Sequence, residues 1–266
     1  MLKEIFLFKG EKPGPKVVIL GGVHGNEVCG VEAIRKIAPN FKITSGELRL
    51  IIANPKAVEQ NVRYTEENLN RCFKKNKKPT GTYEEKLAKE IMKHLDWADI
   101  SLDLHASNSK ESRPFIISRE DRLVYAHMLP IPTIVTGFEN FYSGDSDWYM
   151  ESNGKVGMGV ECGYLGDPKS SDVAEECILN YLKGLHMIEG EPIQVKRKEF
   201  DLFFQYHNKD EFKLTRQFPD FDLVLKDEII GYDGDKEVWS DRDCFIIFAR
   251  NRKPGYGESF CLLEKV

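Results

Sequence analysis

Short apolar runs alternate with amphipathic stretches along the first two-thirds of the chain. Most apolar runs are followed by glycine, proline or a polar residue, as buried strands are, whereas apolar residues three or four positions apart predict helices. The predicted strands cover residues 17–20, 48–53, 99–104, 114–117, 133–135 and 154–161. The predicted helices cover residues 27–37, 83–95 and 172–188. This alternation predicts an α/β fold with a mixed, mostly parallel sheet flanked by helices.

The pattern changes near residue 190, after the sequence Glu-Gly-Glu-Pro. From there to the end, short apolar segments are separated by turn signals such as Asp233-Gly234 and Pro254-Gly255, which is typical of short strands. We therefore predict two domains. Residues 1–190 form the main domain with the candidate site, and residues 191–266 form a smaller β-rich C-terminal domain.

The charge balance makes nucleic acid and anionic membranes poor partners. The 266 residues include 38 Lys and Arg against 43 Asp and Glu, a net charge of −5, whereas such partners require a basic surface. No apolar run approaches the roughly 20 residues that span a bilayer, and the N-terminal apolar stretch is too short for a secretory signal. The 6 cysteines form no C-x-x-C pair, so we expect reduced thiols in a cytoplasmic protein. The sequence does not fix the oligomeric state, and a homo-oligomer is one option.

Two histidines and a glutamate follow predicted strands. His24 and Glu27 are three positions apart at a strand-to-helix turn, and imidazole with carboxylate suits zinc. A glycine-rich turn before a capped helix explains the same pair without a metal. His105 follows the strand at 99–104 and completes a known catalytic zinc arrangement with one position left for water. Asp103 is on the same face of its strand, where it can orient an imidazole.

Glu161 ends a strand rich in glycine. A carboxylate at a buried strand end needs a role, and a general base beside a metal-activated water is one; an exposed glutamate in a turn is the alternative. Arg63, Asn70 and Arg71 occur in an irregular stretch. Because guanidinium groups bind carboxylates through two hydrogen bonds, we expect a small acidic substrate, although ordinary loop arginines would show the same pattern.

Four blocks in this order resemble the succinylglutamate desuccinylase/aspartoacylase family, which belongs to the wider zinc carboxypeptidase group. The blocks are HGNE at 24–27, the stretch at 54–73 with RY and LNR, DLHAS at 103–107, and GVECG at 159–163. The resemblance covers about residues 17 to 165, and the β-rich C-terminus fits the family outline. It implies a zinc carboxypeptidase-like fold, one bound Zn²⁺ and hydrolysis of the amide bond of an N-acyl amino acid.

The resemblance also implies roles for the residues around the expected ion. His24, Glu27 and His105 match the family's zinc ligands. Glu161 matches the glutamate that activates water and then protonates the leaving amine. The expected mechanism is therefore attack of an activated water on an amide carbonyl, with the glutamate acting first as base and then as acid.

Further matches concern substrate binding. Arg63 matches the arginine that polarises the scissile carbonyl, and Asn70 with Arg71 matches the pair that holds a substrate carboxylate. Tyr256, in KPGYGES, resembles a family tyrosine that reaches the site from the second domain. These residues are expected to place the amide bond beside the ion.

Two departures from the family pattern concern specificity. Asn68 stands where the family often has aspartate before L-N-R. Aspartoacylases have an arginine about ten residues before the catalytic glutamate, which binds a second carboxylate, and this chain has Glu151 in that neighbourhood. The sequence therefore disfavours N-acetylaspartate as the substrate. Lys155 and Arg113 are the candidates for replacing that arginine.

Two alternative functions fit parts of the same pattern. A metallocarboxypeptidase that trims peptides needs the same ion, base and carboxylate-binding arginine. A metal-binding or small-molecule-binding module without turnover needs the ligands but no base, so Glu161 counts against it.

Overall fold

Strands and helices alternate through the first two-thirds of the computed structural model, which describes residues 1–76, 78–255 and 257–266. The strands are β1 (Ile5–Lys9), β2 (Lys12–Gly21), β3 (Ser45–Ile52), β4 (Ile100–Ser107), β5 (Phe115–Ile117), β6 (Thr133–Thr136), β7 (Val156–Tyr164), β8 (Lys198–His207), β9 (Phe212–Leu214), β10 (Asp222–Val224), β11 (Ile229–Asp233), β12 (Lys236–Trp239), β13 (Cys244–Ile247) and β14 (Glu258–Lys265). The helices are α1 (Cys29–Ile37), α2 (Pro55–Gln60), α3 (Tyr83–Trp97), α4 (Leu123–Ala126), α5 (Ser146–Ser152) and α6 (Ser170–Gly184).

The described residues build one large mixed sheet and one small antiparallel sheet. The large sheet has 11 strands in the order β1-β3-β2-β4-β7-β5-β6-β8-β14-β13-β10. Its centre is parallel, because β2 lies between β3 and β4, and β4 lies beside β7. The carboxyl ends of these central strands meet at one edge, where α/β proteins place their sites. The predicted α/β fold with a mostly parallel sheet at its centre is confirmed.

Helices cover both faces of the parallel centre. Val17 and Ile19 of β2 belong to the core that includes α1 and α6, whereas Val18 and Leu20 belong to the core that includes α3 and α5. All four side chains are fully buried. This explains why the sequence of β2 is a continuous apolar run rather than an alternating one.

The chain after residue 190 extends the large sheet and adds the small one. Strand β8 pairs in parallel with β6, and β14, β13 and β10 follow in antiparallel order. The small sheet has the order β12-β11-β9. The β-rich character of this region agrees with the sequence pattern, and the division into domains at residue 190 stays a prediction. Among the described residues, no helix is both long and apolar enough to cross a membrane.

Candidate metal centre and active site

Three buried side chains meet at the carboxyl ends of β2 and β4, with His24 and Glu27 in the turn after β2 and His105 near the end of β4. The Nδ1 atom of His24 lies 2.9 Å from one carboxylate oxygen of Glu27, and the Nδ1 atom of His105 lies 2.8 Å from the other. One donor atom from each residue can be chosen so that all lie within 4.8 Å of one another. The structure therefore brings together the three residues that the sequence predicts as ligands.

The local backbone explains how the first two of these side chains reach one point. Gly22 has a positive φ of 71° at the end of β2, a conformation that glycine adopts without strain. At Gly25 a Cβ would lie only 2.1 Å from the carbonyl carbon of Ala57, so no side chain fits there. The backbone N–H of Glu27 donates to the carbonyl of His24 over 3.1 Å, which closes the tight turn.

The second nitrogen of each imidazole has its own partner. His24 Nε2 lies 3.1 Å from the side-chain oxygen of Asn68, and His105 Nε2 lies 3.0 Å from Asp103 Oδ2. The hydroxyl of Ser146 donates to the same Asp103 oxygen over 2.7 Å. Such outer partners fix the tautomer and the orientation of a ligating histidine. Asp103 thus has the position that the sequence predicts for it.

The charges of the group fit a divalent cation. Burial lowers the pKa of His24 to about 4, so this imidazole is neutral near pH 7. Burial opposes ionisation of Glu27, but the neighbouring histidines outweigh it and hold the pKa of that carboxyl well below its usual range. The Nδ1 atom of His24 is buried and has no hydrogen-bond partner, although a carboxylate lies beside it. Two imidazoles and one carboxylate are the donor set of many catalytic zinc sites, so these residues fit Zn²⁺.

Glu161 lies on the strand next to His105. Strands β4 and β7 are parallel neighbours, and His105 is paired in register with Glu161. The carboxylate of Glu161 lines the same cavity as the His–Glu–His group, and its Oε2 atom is buried without a hydrogen-bond partner. Burial is the main cause that raises the pKa of this carboxyl to about 8, and the charge of Glu27 adds to it.

The predicted substrate-binding residues lie on the segment after α2. Arg63 Nη1 lies 2.7 Å from Glu27 Oε1, directly beside the candidate ligands. Asn70 accepts a hydrogen bond from the backbone N–H of Ser146 over 3.3 Å, and Arg71 lies 3.9 Å from Asp145. The side chains of Arg63, Asn70 and Arg71 all line the cavity.

The cavity has a volume of about 410 Å³ and takes part of its wall from the C-terminal region. Phe248, Arg250 and Glu258 contribute that part, and the guanidinium of Arg250 is hydrogen-bonded to Glu258. These residues were not predicted from the sequence, because nothing in the local pattern after residue 190 distinguishes a site residue from its neighbours. Asp147 of α5 also lines the cavity and was not predicted from the sequence.

Three further sequence predictions have different outcomes. Tyr256 lies outside the described residues. Lys155 does not replace the missing arginine, because its ammonium group donates to the backbone carbonyls of Leu95 and Ala98 over 3.1 and 2.6 Å. Arg113 is not among the residues that line the cavity.

All six cysteines are buried, and no disulfide is present among the described residues. Cys162 directly follows Glu161, but the neighbouring thiols of Cys177 and Cys29, together with burial, raise its pKa well above the usual range. A thiol with a raised pKa is a poor nucleophile. The expectation of a reduced, cytoplasmic compartment stays a prediction.

The sheet, with a His–Glu–His group at its carboxyl edge, defines an α/β protein with a candidate metal centre. The chain belongs to the succinylglutamate desuccinylase/aspartoacylase family, because the model of that family's catalytic domain matches residues 13–185. The resemblance found in the sequence is thereby confirmed.

Curated relatives show how far the similarity extends. A probable aspartoacylase of Nostoc sp. is 29% identical over 162 residues, which cover 56% of this chain and 55% of the relative. The succinylglutamate desuccinylase of Vibrio cholerae is 25% identical over 277 residues, which cover 93% of this chain and 79% of the relative. An N-alpha-acetyl-L-2,4-diaminobutyric acid deacetylase of Halomonas elongata is 29% identical over 67% of this chain and 57% of its own length. The chain thus spans only about half of some of these relatives.

Solved structures show the same fold. A succinylglutamate desuccinylase from Vibrio parahaemolyticus superposes with a TM-score of 0.82 at 20% identity, covering 98% of this chain and 86% of that one. A succinylglutamate desuccinylase/aspartoacylase from Rhodobacter sphaeroides gives a TM-score of 0.78 at 24% identity, covering 98% and 88%. At these identities the likeness establishes the fold.

Proposed function

We propose that the protein is a zinc-dependent hydrolase that cleaves the amide bond of an N-acyl amino acid. The observation that carries the proposal is a single cavity that holds His24, Glu27 and His105 together with the unpartnered carboxylate of Glu161. Relatives named succinylglutamate desuccinylase and N-alpha-acetyl-L-2,4-diaminobutyric acid deacetylase support the substrate class.

Two imidazoles and one carboxylate leave room for a water and a substrate oxygen around one ion. Zn²⁺ held by His24, Glu27 and His105 would supply a Lewis acid that lowers the pKa of water and polarises a carbonyl. The orphaned Nδ1 atom of His24 beside the Glu27 carboxylate supports a cation at this point. Asn68 and Asp103 keep the two rings in place from the outside.

Glu161 is the proposed proton carrier. Its carboxylate is adjacent in register to His105 and has a free oxygen within the cavity. It removes a proton from the attacking water and later delivers that proton to the leaving amine. General acid–base catalysis by a positioned side chain contributes roughly 100- to 10,000-fold to the rate.

Arg63 and Arg71 have separate proposed tasks. Arg63 is next to Glu27, so its guanidinium can stabilise the negative charge that develops on the carbonyl oxygen; one such donor is worth about 3 kcal/mol. Asn70 and Arg71 bind the substrate's α-carboxylate, which fixes the amide bond before the reaction. This carboxylate is what makes the expected substrate acidic.

The wall formed by the C-terminal region favours a small substrate over a peptide. Phe248, Arg250 and Glu258 form part of the cavity wall, and a cavity of about 410 Å³ is in the range of small-molecule sites. We therefore favour an N-acyl amino acid deacylase over a metallocarboxypeptidase.

The test is hydrolysis by the zinc-loaded protein of N-acetyl and N-succinyl amino acids in parallel with N-blocked peptides. Wild type should hydrolyse at least one acyl amino acid faster than any peptide. Glu161→Gln should keep one zinc per chain and lose roughly 100-fold or more in kcat. Glu237→Gln, on an exposed position of β12, is the matched control and should behave as wild type.

Three outcomes would contradict the proposal. Full activity of Glu161→Gln would remove the assigned proton carrier. Preference for peptides would indicate a carboxypeptidase. Stoichiometric zinc without hydrolysis of any acyl amino acid would indicate a binding module.

A further inference from the structure

An aromatic ring lies against the guanidinium that is proposed to bind the substrate's carboxylate. The central carbon of the Arg71 guanidinium is 5.1 Å from the centroid of the Tyr142 ring, and a cation within about 6 Å of a ring centroid is attracted to the ring face. Both side chains line the cavity. Tyr142 belongs to the loop after β6 and Arg71 to the segment after α2, so the contact joins two distant parts of the chain.

The polar contacts of Arg71 with the described residues all use one nitrogen. Its Nη1 atom donates to the backbone carbonyl of Asn70 over 2.5 Å and lies 3.9 Å from the carboxylate of Asp145. The other edge of the guanidinium, formed by Nε and Nη2, can bind a carboxylate through two parallel hydrogen bonds. Contacts through a single nitrogen do not fix the direction of that edge, so its orientation needs a further contact.

The ring of Tyr142 is itself held by three contacts. It stacks on Phe138 with the ring centroids 5.3 Å apart and the planes inclined by 22°. The backbone N–H of Tyr142 donates to the carbonyl of Phe138 over 2.9 Å. Its hydroxyl lies 3.4 Å from the Sγ atom of Cys261 on β14. A ring held by stacking, backbone and hydroxyl contacts gives the guanidinium a fixed surface.

The loop after β6 is also tied to the segment that carries Arg71. The backbone N–H of Phe73 donates to the carbonyl of Gly144 over 3.0 Å. The ammonium group of Lys74 donates to the hydroxyl of Ser143 over 2.9 Å. Because the two segments are bonded to each other beside the contact, their backbones set the distance between the ring and the guanidinium.

We propose that Tyr142 is a positioning residue for Arg71, whose guanidinium it holds with the Nε–Nη2 edge directed at a carboxylate in the cavity. The proposal rests on the proposed function, which assigns Arg71 to the substrate's α-carboxylate. Because the hydroxyl of Tyr142 contacts Cys261 on β14, the C-terminal region then contributes to carboxylate binding as well as to the cavity wall.

The tyrosine acts on Arg71 as a neutral ring. Burial is the main cause that raises the pKa of Tyr142 well above its usual range, and the neighbouring Cys261 adds to it. The phenol therefore carries no charge near pH 7, and the face of the ring is what attracts the cation. Phenylalanine has the same face, so it should replace Tyr142 in this role, whereas an aliphatic side chain should not.

The first test compares an acyl amino acid with its α-carboxamide, which lacks the charge that Arg71 binds. The zinc-loaded protein is assayed with the N-acyl amino acid that it hydrolyses fastest and with the amide of that compound. Tyr142→Leu should lower kcat/KM for the acid roughly tenfold and leave kcat/KM for the amide within about twofold. Tyr142→Phe should keep the acid-to-amide ratio of wild type.

The control for this comparison is Tyr232→Leu, at an exposed position of β11, which should leave both values unchanged. A purely structural role of Tyr142 would lower hydrolysis of the acid and of the amide alike. Equal losses for the two substrates in Tyr142→Leu, or the same loss of the ratio in Tyr142→Phe, would overturn the proposal.

A second replacement keeps the shape of the ring. Pentafluorophenylalanine in place of Tyr142 withdraws electrons from the ring face, which removes the attraction for a cation. The acid-to-amide ratio should fall from the value of Tyr142→Phe towards that of Tyr142→Leu. A ratio equal to that of Tyr142→Phe would contradict the proposal.

A double variant shows whether the ring acts through the guanidinium. In an Arg71→Met background, Tyr142→Leu should cause no further loss of the acid-to-amide ratio, because the cation that the ring holds is absent. A further loss as large as in wild type would show that Tyr142 acts on the substrate by another route and would refute the positioning role.

A binding measurement separates this proposal from the proposed function. The zinc-loaded Glu161→Gln protein, with and without Tyr142→Leu, is titrated calorimetrically with N-acetylglycine and N-acetylglycinamide, which needs no turnover. Selective binding of N-acetylglycine that Tyr142→Leu weakens, without hydrolysis of any acyl amino acid by wild type, would support the positioning role and refute the deacylase. Hydrolysis with a ratio that Tyr142→Leu leaves unchanged would refute the positioning role and support the deacylase. Neither binding nor hydrolysis would refute both.

Discussion

The imidazole of His24 is held by an amide where the family often has a carboxylate. The side-chain oxygen of Asn68 lies 3.1 Å from His24 Nε2, and it also accepts the backbone N–H of Asn70 over 3.0 Å. An amide oxygen can therefore orient the ring without a further negative charge near Glu27. The departure from the family pattern at position 68 preserves the acceptor that the histidine needs.

Asn68→Ala should weaken zinc binding. The variant removes the acceptor that fixes the His24 ring, and loss of such an outer partner typically costs about 10- to 100-fold in metal affinity. Competition with a chelating dye measures the change in zinc affinity. Asn68→Asp keeps an oxygen at the same place and is the matched control, which should bind zinc within a few-fold of wild type. Unchanged zinc affinity in Asn68→Ala would show that the ring does not depend on this contact.

The sequence predicts the residues of the candidate metal centre because their position relative to a strand is visible in the local pattern. His24 and Glu27 come just after β2, and His105 lies near the carboxyl end of β4. Parallel strands bring their carboxyl ends to one edge of the sheet. Asp147 and Arg250 were missed because their places depend on packing between distant segments. A carboxylate in the first turn of a short helix is common in any protein, so Asp147 gave no signal by itself.

At the scale of elements, the first turn of α3 anchors the segment that carries the proposed substrate-binding residues. The carboxylate of Glu84 is fully buried. It accepts the backbone N–H and the hydroxyl of Thr65 over 2.7 and 2.8 Å, and the backbone N–H groups of Glu66 and Glu67 over 3.2 Å each. One side chain thus holds the chain between Arg63 and Asn70.

Glu84→Gln should lower the stability of the protein at neutral pH by about 1–3 kcal/mol, because one acceptor oxygen becomes an amide donor. Burial opposes ionisation of Glu84, but the hydrogen bonds from Thr65 and its neighbours outweigh it and lower the pKa of the carboxyl. A lowered pKa in the folded state stabilises the protein above the unfolded pKa, and this contribution is lost as the pH falls through the folded pKa.

Urea unfolding between pH 7 and pH 3 tests this. The difference in the free energy of unfolding between wild type and Glu84→Gln should be largest near pH 7 and should shrink in acid. Glu59→Gln, at an exposed position of α2, should match wild type throughout. A difference that grows as the pH falls would contradict the assignment.

The predicted helices are correct in type but not in extent. The prediction at 27–37 begins two residues before α1, because the backbone N–H of Glu27 is bonded to His24 in the turn. The prediction at 172–188 runs past the end of α6 at Gly184, because Met187 stays fully buried in the loop. Apolar periodicity reports burial, so it follows the core beyond the end of a helix.

At the scale of the whole molecule, a buried aspartate ties the C-terminal region to the strand that carries His105. Asp220 accepts the hydroxyls of Ser107 and Ser112 over 2.8 and 2.6 Å and the backbone N–H of Phe248 over 2.8 Å. Ser107 ends β4 just beyond His105. The wall of the cavity formed after residue 190 is therefore fixed to the same strand end as a candidate ligand.

Asp220→Ala should lower stability and activity together. It removes the acceptor of the Ser107 hydroxyl and the Phe248 backbone N–H and the shorter of the two hydrogen bonds of the Ser112 hydroxyl. Each buried group left unsatisfied costs about 1–3 kcal/mol. The free energy of unfolding and kcat/KM for an acyl amino acid are measured on the same preparation. Asp235→Ala, at an exposed position of the β11–β12 turn, is the control. If Asp220→Ala loses neither stability nor activity, the two parts of the chain do not depend on this contact.

The most direct test of the central claim is X-ray absorption at the zinc edge of protein reloaded with one zinc per chain. The claim predicts only nitrogen and oxygen neighbours at about 2.0–2.2 Å, with the outer-shell pattern of two imidazoles from His24 and His105. Failure to retain zinc, or sulfur neighbours at about 2.3 Å from a cysteine site, would contradict it.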